Sequence, residues 1–219
     1  DRMGEKPLYW GWCGDTLLFG SELKALKAHP VFNAEIDRNS LALFLRHNYI
    51  PAPHCIYQGI EKLCAGYWVQ IKPGQQRQHV APTSYWSLKS VVEAGLANPF
   101  SGSDVQAIDL LEQQLSASIG LQMLADVPLG AFLSGGVDSS TIVALMQQQS
   151  RRPVQTFAIG FNEAGYNEAE YAKEVAAHLG TEHTELYVGA ADALAVIPKL
   201  PHIYCEPFAD SSQIPTFLV

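Results

Sequence analysis

Basic residues are few in this sequence. Lys and Arg number 14 against 22 Asp and Glu, which gives a net charge of −8 at pH 7. Binding to a nucleic-acid backbone needs a basic face, so this balance argues against a nucleic acid as the main partner, although a local pocket for a small anion stays open. Hydrophobic residues make up 47% and charged residues 16%, a composition typical of a packed globular protein.

Long apolar runs are absent as well. None reaches the ~18 residues that a membrane span needs, so no membrane partner is expected. The chain opens with the polar segment 1–6 rather than with a secretory signal peptide. It lacks an initiator Met and closes on the apolar residues 217–219, and these two ends together predict a piece of a longer protein.

Cysteine occurs four times, at Cys13, Cys55, Cys64 and Cys205. No two of these residues form a C-x-x-C pair, and no Cys/His cluster has the spacing of a zinc site. We therefore interpret the cysteines as reduced thiols, used as small buried apolar residues, in a cytoplasmic protein.

The first part of the chain, residues 1–87, has the pattern of short strands and turns. It predicts, in order, a hairpin over 6–20, a short helix from Ser21 that ends before Pro30, a helix over 38–47 and a strand over 67–71. Residues 82–104 are rich in Pro, Gly, Ser and Asn, which predicts a connection between domains, with the linker at 88–104.

From residue 105 to residue 219 the patterns alternate between helix and strand. They predict a helix around 108–119, a strand at 127–133 buried on both faces, a helix at 139–149, a strand at 154–159, a helix at 168–179, a strand at 184–188 and a helix at 190–197. Such alternation is typical of an α/β fold with a doubly wound parallel sheet.

One stretch, GAFLSGGVDSSTIVAL (130–145), places two glycines, an aspartate and several hydroxyls between a predicted strand and a predicted helix. Ligands of parallel sheets bind at the carboxyl ends of strands, where the unpaired N–H groups and the dipole of the next helix attract anions. Gly135 and Gly136 permit positive φ and a close approach of the backbone to a ligand. Hydroxyl donors come from Ser134, Ser139 and Ser140. The stretch predicts a phosphate site; the alternative is a tight turn whose Asp and Ser only cap the helix.

Asp138 does not suit a bare anion site, because a carboxylate repels phosphates. Mg²⁺ is commonly held by one or two carboxylates together with phosphate oxygens. Asp138 therefore predicts a magnesium–phosphate ligand. The chain contains no G-x-x-x-x-G-K-S/T sequence, so the loop is not a Walker P-loop.

The octapeptide LSGGVDSS matches the S-G-G-x-D-S signature of the ATP pyrophosphatase (PP-loop) family. Four segments, ADVPLGAFLSGGVDSS, TFAIGF, EYAKEVAAHLGTEHTE and EPFADSSQIPTFL, together resemble the glutamine-dependent asparagine synthetases of the bacterial type. DRMGEKPLYW, FGSELKAL and the pair Tyr85-Trp86 resemble the end of the glutaminase domain of that family. The resemblance covers nearly the whole chain.

This resemblance implies a PP-loop domain, like that of the adenine nucleotide α-hydrolases, over 105–219, preceded over 1–87 by the C-terminal part of an α+β Ntn-type class II glutaminase domain. It implies that the side-chain carboxylate of aspartate attacks the α-phosphorus of ATP, which gives β-aspartyl-AMP and pyrophosphate, and that ammonia from glutamine then displaces AMP. The implied cofactors are ATP and Mg²⁺. The implied partners are ATP, aspartate and ammonia, and a homodimer is compatible with the resemblance.

The resemblance also implies roles for individual residues. Asp138 would bind Mg²⁺, and Leu133 and Ile159 would flank the adenine, with ordinary core packing as the alternative for both. The pyrophosphate would be cradled by Ser134, Gly135, Gly136, Ser139 and Ser140.

Glu206 is the candidate catalytic acid/base near the attacking ammonia. It lies on a predicted loop before a capped helix that starts near Asp210, and a solvated loop carboxylate is the alternative. The relatives usually read Tyr-Asp-Glu-Pro here, whereas this chain reads Tyr204-Cys205-Glu206-Pro207. If the missing aspartate serves the substrate amine or the metal, this departure puts the activity in question.

Three family features are not found: the N-terminal Cys nucleophile, the glutamine-binding segment and the S-G-D/E-G-x-D-E loop with a second acidic metal ligand. The sequence is therefore expected to be a fragment of two incomplete domains, inactive by itself. Two alternatives stay open. One is another PP-loop amide synthetase that forms a β-lactam or amidates a sugar or peptide. The other is a non-catalytic nucleotide-binding module, which Cys205 favours and the intact loop at 134–140 opposes.

Overall fold

The chain folds into two compact units. The computed structural model describes residues 1–75, 79–161 and 169–219. Unit 1 consists of Asp1–Pro99 together with Lys199–Asp210, and unit 2 of Phe100–Pro198 together with Ser211–Val219. Both units contain helices and strands, so the predicted mixed α/β character is confirmed.

Unit 1 is built around a small antiparallel sheet of order β2-β1-β3. The predicted hairpin is confirmed: Tyr9 pairs with Gly20 and Cys13 with Thr16, and Gly14 takes the positive φ that the tight turn needs (φ +60°). The strands are β1 (Tyr9–Cys13), β2 (Thr16–Gly20) and β3 (Ile60–Lys62).

Two helices cover this sheet, α1 (Leu23–Lys27) and α2 (Arg38–His47). The bounds predicted for α2 are confirmed. Asp37 caps it, because its side chain accepts hydrogen bonds from the N–H groups of Asn39 (2.8 Å) and Ser40 (3.3 Å). The elements bury one apolar core, formed by Tyr9, Cys13, Leu18, Leu23, Leu26, Ile50, Cys55, Ile56 and Ile60.

The end of the first part of the chain differs from the prediction. The strand predicted over 67–71 is only two residues long, β4 (Tyr67–Trp68), and pairs with β5 (Thr83–Ser84). Residues predicted to connect the domains form a helix, α3 (Leu88–Ala97), capped by the Ser87 hydroxyl. Of the Pro and Gly residues that suggested a connection, Pro82, Pro99 and Gly102 lie outside this helix and Gly95 lies in its last turn, so the Ser87 cap starts a helix that one glycine does not interrupt.

Unit 2 contains a parallel sheet of order β6-β7-β8, which confirms the predicted parallel alternation. The strands are β6 (Gly130–Phe132), β7 (Gln155–Phe161) and β8 (Glu182–Val188). The helices around them are α4 (Asp104–Gln122), α5 (Val137–Gln149), α6 (Ala169–Leu179), α7 (Ala190–Val196) and α9 (Gln213–Leu218). A short helix between the last two, α8 (Leu200–Ile203), lies in unit 1. The predicted start of the α6 helix, residue 168, lies outside the described residues.

The first parallel strand was predicted wrongly. It was expected over 127–133 with both faces buried, but β6 has three residues, and Val127 and Phe132 are 71% and 63% exposed. Among the described strands, β6 pairs only with β7 and forms an edge, so its side chains have fewer neighbours than those of a central strand. Leu133, directly after β6, is buried in the core, and Ala131 packs against it.

The α6 helix of unit 2 follows the predicted periodicity, whereas in α4 two of the four predicted apolar positions, Ile108 and Leu111, are exposed. In α6, Ala172 and Ala176 are buried, and Val175 and Leu179 pack against the same cluster, as predicted. Gly180 follows with φ +71°, the conformation expected of a C-terminal cap. Within residues 1–75, 79–161 and 169–219, no helix has both the length and the apolar character that crossing a bilayer requires.

Candidate functional site

The loop between β6 and α5 lies at the carboxyl end of a parallel strand. It spans 133–136, since β6 ends at Phe132 and α5 begins at Val137, two residues earlier than predicted. The helix is 13 residues long, and its first N–H groups lie at the loop. The structure thus places Ser134, Gly135, Gly136, Asp138, Ser139 and Ser140 within one loop and the first turn of its helix.

A small hydrogen-bond network shapes this loop. The hydroxyls of Ser134 and Ser139 lie 3.0 Å apart. The N–H of Gly136 donates to the Ser134 hydroxyl at 3.3 Å, and the N–H of Ser134 donates to the Ser139 hydroxyl at 3.2 Å. The two serines therefore hold the loop in place through their own hydroxyls, with Ser134 exposed and Ser139 half-buried.

The two glycines of the loop have different conformational needs. Gly135 has φ +78°, as predicted, and a Cβ there would lie 2.6–2.9 Å from Tyr171 and Ala172 atoms of α6. Gly136 has φ −72°, so the expectation of positive φ was wrong for it. Among residues 1–75, 79–161 and 169–219, a Cβ at Gly136 would lie within 4 Å only of the Ser134 hydroxyl, at 3.4 Å. Gly135 is thus required by packing against α6, whereas Gly136 leaves open space beside the loop.

Two polar groups in the first turn of α5 have no partner among the described residues. The Ser140 hydroxyl is buried and makes no hydrogen bond there, although a buried hydroxyl without a partner costs free energy. The exposed Asp138 carboxylate has no hydrogen-bond or ion-pair partner in the described part of the chain. The Asp138 carboxylate therefore remains available to a ligand at this helix end, whereas the Ser140 hydroxyl is unpartnered but shielded from solvent.

An apolar cavity of about 320 Å³ adjoins the loop. Leu133 and Ile159, the residues predicted to flank adenine, both line it; Leu133 is 1% exposed and also belongs to the core. The remaining lining residues are Phe132, Ser134, Ser139, Phe157, Ala158, Phe161 and Pro215. An apolar cavity beside a polar loop has the two surfaces that a nucleotide needs, one for a base and one for phosphates.

The loop could bind magnesium through one carboxylate, with the other ligands supplied by phosphate and water. No group of three or more His, Cys, Asp or Glu side chains able to hold a metal occurs in the described residues. Asp138 therefore offers a single carboxylate, which suits a Mg²⁺ ion that takes its other ligands from phosphates and water.

Glu206 lies in unit 1, whereas the loop residues lie in unit 2. Its side chain is only 9% exposed, so the alternative of a solvated loop carboxylate is wrong. It forms an ion pair with Lys62 and accepts hydrogen bonds from the Tyr9 hydroxyl (3.2 Å) and the Ile56 N–H (2.7 Å). The helix expected near Asp210 begins at Gln213, and the expected cap was wrong, because no side chain among the described residues caps its N-terminus. The catalytic role of Glu206 stays a prediction.

The surroundings of Glu206 contain polar groups that sequence reasoning missed. Burial, and then the charge of Glu206, raise the pKa of the Tyr9 hydroxyl well above its ordinary value. Burial also raises the pKa of the Cys55 thiol to about 12, and the nearby Glu206 adds to this shift. Tyr9 and Glu206 are 197 positions apart, so no local sequence pattern could have linked them.

The Cys55 thiol is expected to resist alkylation in the native protein. At pH 8 a thiol with a pKa near 12 is only about 10⁻⁴ thiolate, and the thiolate is the nucleophile. Iodoacetamide labelling followed by peptide mass spectrometry should show slow modification of Cys55 at pH 8, acceleration as the pH rises toward 12, and fast modification after denaturation. The less buried Cys64 is the internal control. Labelling of native Cys55 as fast as that of Cys64 would contradict this.

The sequence of this chain matches two protein families and several known proteins. A family model described as asparagine synthase matches residues 110–219, and one described as glutamine amidotransferase domain matches residues 1–86. A Methanocaldococcus jannaschii protein provisionally named asparagine synthetase (glutamine-hydrolyzing) 2 is 33% identical over 231 residues, covering 100% of this chain and 41% of its own length. Asparagine synthetase (glutamine-hydrolyzing) 1 of Bacillus subtilis is 29% identical over 219 residues, covering 100% of this chain and 33% of its own length.

A strand-end loop with unpartnered polar groups, beside an apolar cavity in a parallel α/β sheet, has the place and the surfaces that ligand sites of such sheets use. The asparagine synthase model covers half of the chain and includes this loop. The chain therefore belongs to the asparagine synthase family. It spans about a third to two fifths of the length of the relatives named above.

Proposed function

We propose that this chain contributes to a glutamine-hydrolysing asparagine synthase, a carbon–nitrogen ligase that amidates aspartate with ATP. The relatives bear this name, and the two matched domains are those that such a reaction requires. The observation that carries the proposal is the loop at 133–136, with the open space at Gly136, the unpartnered Ser140 hydroxyl and the adjoining apolar cavity.

We further propose the finer organisation implied by the resemblance. Residues 1–87 would be the C-terminal part of an Ntn-type glutaminase domain, 88–104 a linker and 105–219 the first part of a doubly wound PP-loop domain. Supporting this division, the family models match 1–86 and 110–219. The three parallel strands of unit 2 are then part of that sheet.

In this proposal the loop binds the pyrophosphate of ATP. The hydroxyls of Ser134, Ser139 and Ser140 and the N–H groups at the start of α5 donate hydrogen bonds to the leaving pyrophosphate, where negative charge develops as the α,β bond breaks. Leu133 and Ile159 contact the adenine in the apolar cavity. These groups orient ATP so that the carboxylate of aspartate can attack the α-phosphorus.

Asp138 would hold Mg²⁺ at the loop. The ion neutralises phosphate charge when bound. The part played by this chain is to supply one carboxylate, at an exposed position in the first turn of α5, with no competing partner among the described residues.

The products of ATP cleavage test the proposed function. The protein expressed from its complete reading frame, given aspartate, ATP, Mg²⁺ and glutamine or ammonia, is expected to form AMP and pyrophosphate in amounts equal to asparagine. The loop has no lysine of the Walker type to reach the β and γ phosphates, and its proposed donors, hydroxyls and helix N–H groups, would bind a single leaving anion. Chromatography of the nucleotides decides this: ADP and phosphate as the main products would refute α,β cleavage, and AMP without asparagine would point to another acceptor.

A further inference from the structure

Glu206 interacts with Tyr9, Ile56 and Lys62 of unit 1, and the Cys55 thiol also lies beside it. One carboxylate oxygen accepts from the Ile56 N–H, and the other interacts with Lys62 and the Tyr9 hydroxyl. Lys62 in turn donates to the Ile50 carbonyl oxygen at 2.6 Å, and its side chain is only 19% exposed. The hydrogen bonds of Lys62 and Glu206 named above are thus all made to residues of unit 1.

Glu206 belongs to a segment with an unusual place in the fold. We call Lys199–Asp210 the returning segment, because the chain enters unit 1 at Lys199 and leaves it again after Asp210. The segment lies within the stretch matched by the asparagine synthase model, yet it folds among residues matched by the amidotransferase model. Both of its ends continue directly into unit 2.

Further contacts support the returning segment on each side of Glu206. The Lys24 ammonium donates to the Ile203 carbonyl at 3.0 Å, near the end of α8, and the Ala209 N–H donates to the Asn48 carbonyl at 2.7 Å. Lys24 is half exposed, so its contribution is small. Cys205 packs against the apolar core of unit 1. Glu206 is therefore the buried polar anchor in the middle of the segment.

A buried ion pair of this kind depends on both partners. Removing one charge leaves the other desolvated and uncompensated, which is far more destabilising than replacing both by neutral groups. Substitutions of Lys62 and Glu206 should therefore have strongly non-additive effects on how stably the returning segment packs in unit 1.

We propose that Lys62 and Glu206 are a positioning pair that holds the returning segment in unit 1 and thereby couples the amidotransferase half of the reaction to the synthase half. This rests on the proposed function. It assigns Glu206 a positioning role in place of the acid/base role implied by the resemblance. The physical reason is that Tyr9, Cys55, Ile56 and Lys62, the described partners of Glu206, all belong to the part of the chain matched by the amidotransferase model, and none belongs to the loop at 133–136.

The test compares Lys62→Met, Glu206→Gln and the double variant in the protein expressed from its complete reading frame. In Lys62→Met, amide hydrogen exchange over 199–210 should become about 100-fold faster. The glutamate released per asparagine formed should rise several fold with glutamine as nitrogen source, while the rate with saturating ammonium stays near that of the wild type. In the double variant, both the exchange rate and the glutamate-to-asparagine ratio should return most of the way to the wild-type values, because no unpaired buried charge remains.

Lys89→Met is the matched control, since it breaks the exposed ion pair of Lys89 with Glu93 and should change neither exchange nor the glutamate-to-asparagine ratio. An unchanged ratio in Lys62→Met would overturn the proposal. The proposal would also be overturned if hydrogen exchange and the glutamate-to-asparagine ratio in the double variant were no closer to the wild type than in Glu206→Gln. That result would favour the acid/base role for Glu206. If the wild type forms no asparagine from either nitrogen source, the proposed function fails, and the exchange measurement still tests whether the pair holds the segment.

Discussion

Gly135→Ala should lower the thermal unfolding midpoint by at least about 5 °C and abolish ATP binding, whereas Gly136→Ala should weaken ATP binding with little change in stability. Alanine at 135 must adopt a left-handed φ, which costs about 1–2 kcal/mol, and its Cβ must also displace atoms of α6 that lie 2.6–2.9 Å away. Alanine at 136 keeps an ordinary φ of −72°. Its methyl group only occupies the open space beside the Ser134 hydroxyl.

The two glycine variants serve as controls for each other. Thermal unfolding followed by circular dichroism gives their stability, and titration calorimetry gives their affinity for ATP. If the loop were merely a tight turn, Gly136→Ala would bind any ligand of the protein as well as the wild type does. Equal ATP affinity in Gly136→Ala and wild type would therefore remove the loop from the nucleotide site.

Asp138→Asn should lower ATP affinity in the presence of Mg²⁺ by about tenfold or more, whereas in EDTA it should not lower the affinity but raise it modestly. The substitution keeps the shape of the side chain but removes the charge that would hold the metal beside the phosphates. Without metal, the wild-type carboxylate repels ATP, so the wild type should bind ATP much more tightly with Mg²⁺ than with EDTA. Calorimetric titrations of both proteins under both conditions measure this difference.

Asp104→Asn provides a matched control for that experiment. Asp104 is also an acidic residue in the first turn of a helix of unit 2, α4, and it is exposed. A charge at such a position affects the helix dipole in the same way, so its removal should cost at most about 1 kcal/mol in stability and nothing in ATP binding. An equal loss of affinity in both variants, or no magnesium dependence in the wild type, would contradict the proposed role of Asp138.

The sequence predicted the loop of the candidate site better than the packing around that loop. The loop was predicted well because its chemistry is local: Ser134, Gly135 and Ser139 are near neighbours in the chain, and a strand followed by a helix brings them together in any parallel sheet. The identity of the helix behind Gly135 was not predicted, because the approach of α6 depends on how unit 2 packs. The exposure of β6 was missed for a similar reason, since an apolar run does not reveal whether its strand lies at an edge.

What the sequence by itself determined are the features that arise within a few residues: the β1–β2 hairpin, the capped helix α2, the parallel alternation of unit 2 and the polar loop at 133–136. Turn, cap and periodicity rules act over such distances. The tertiary structure alone decided that the returning segment folds into unit 1 and that Glu206 meets Lys62 there. The physical reason is that the local sequence around Glu206 and Pro207 does not indicate whether the carboxylate is solvated or buried. Only packing of residues more than a hundred positions away removes water from it and supplies the donors that make its burial stable.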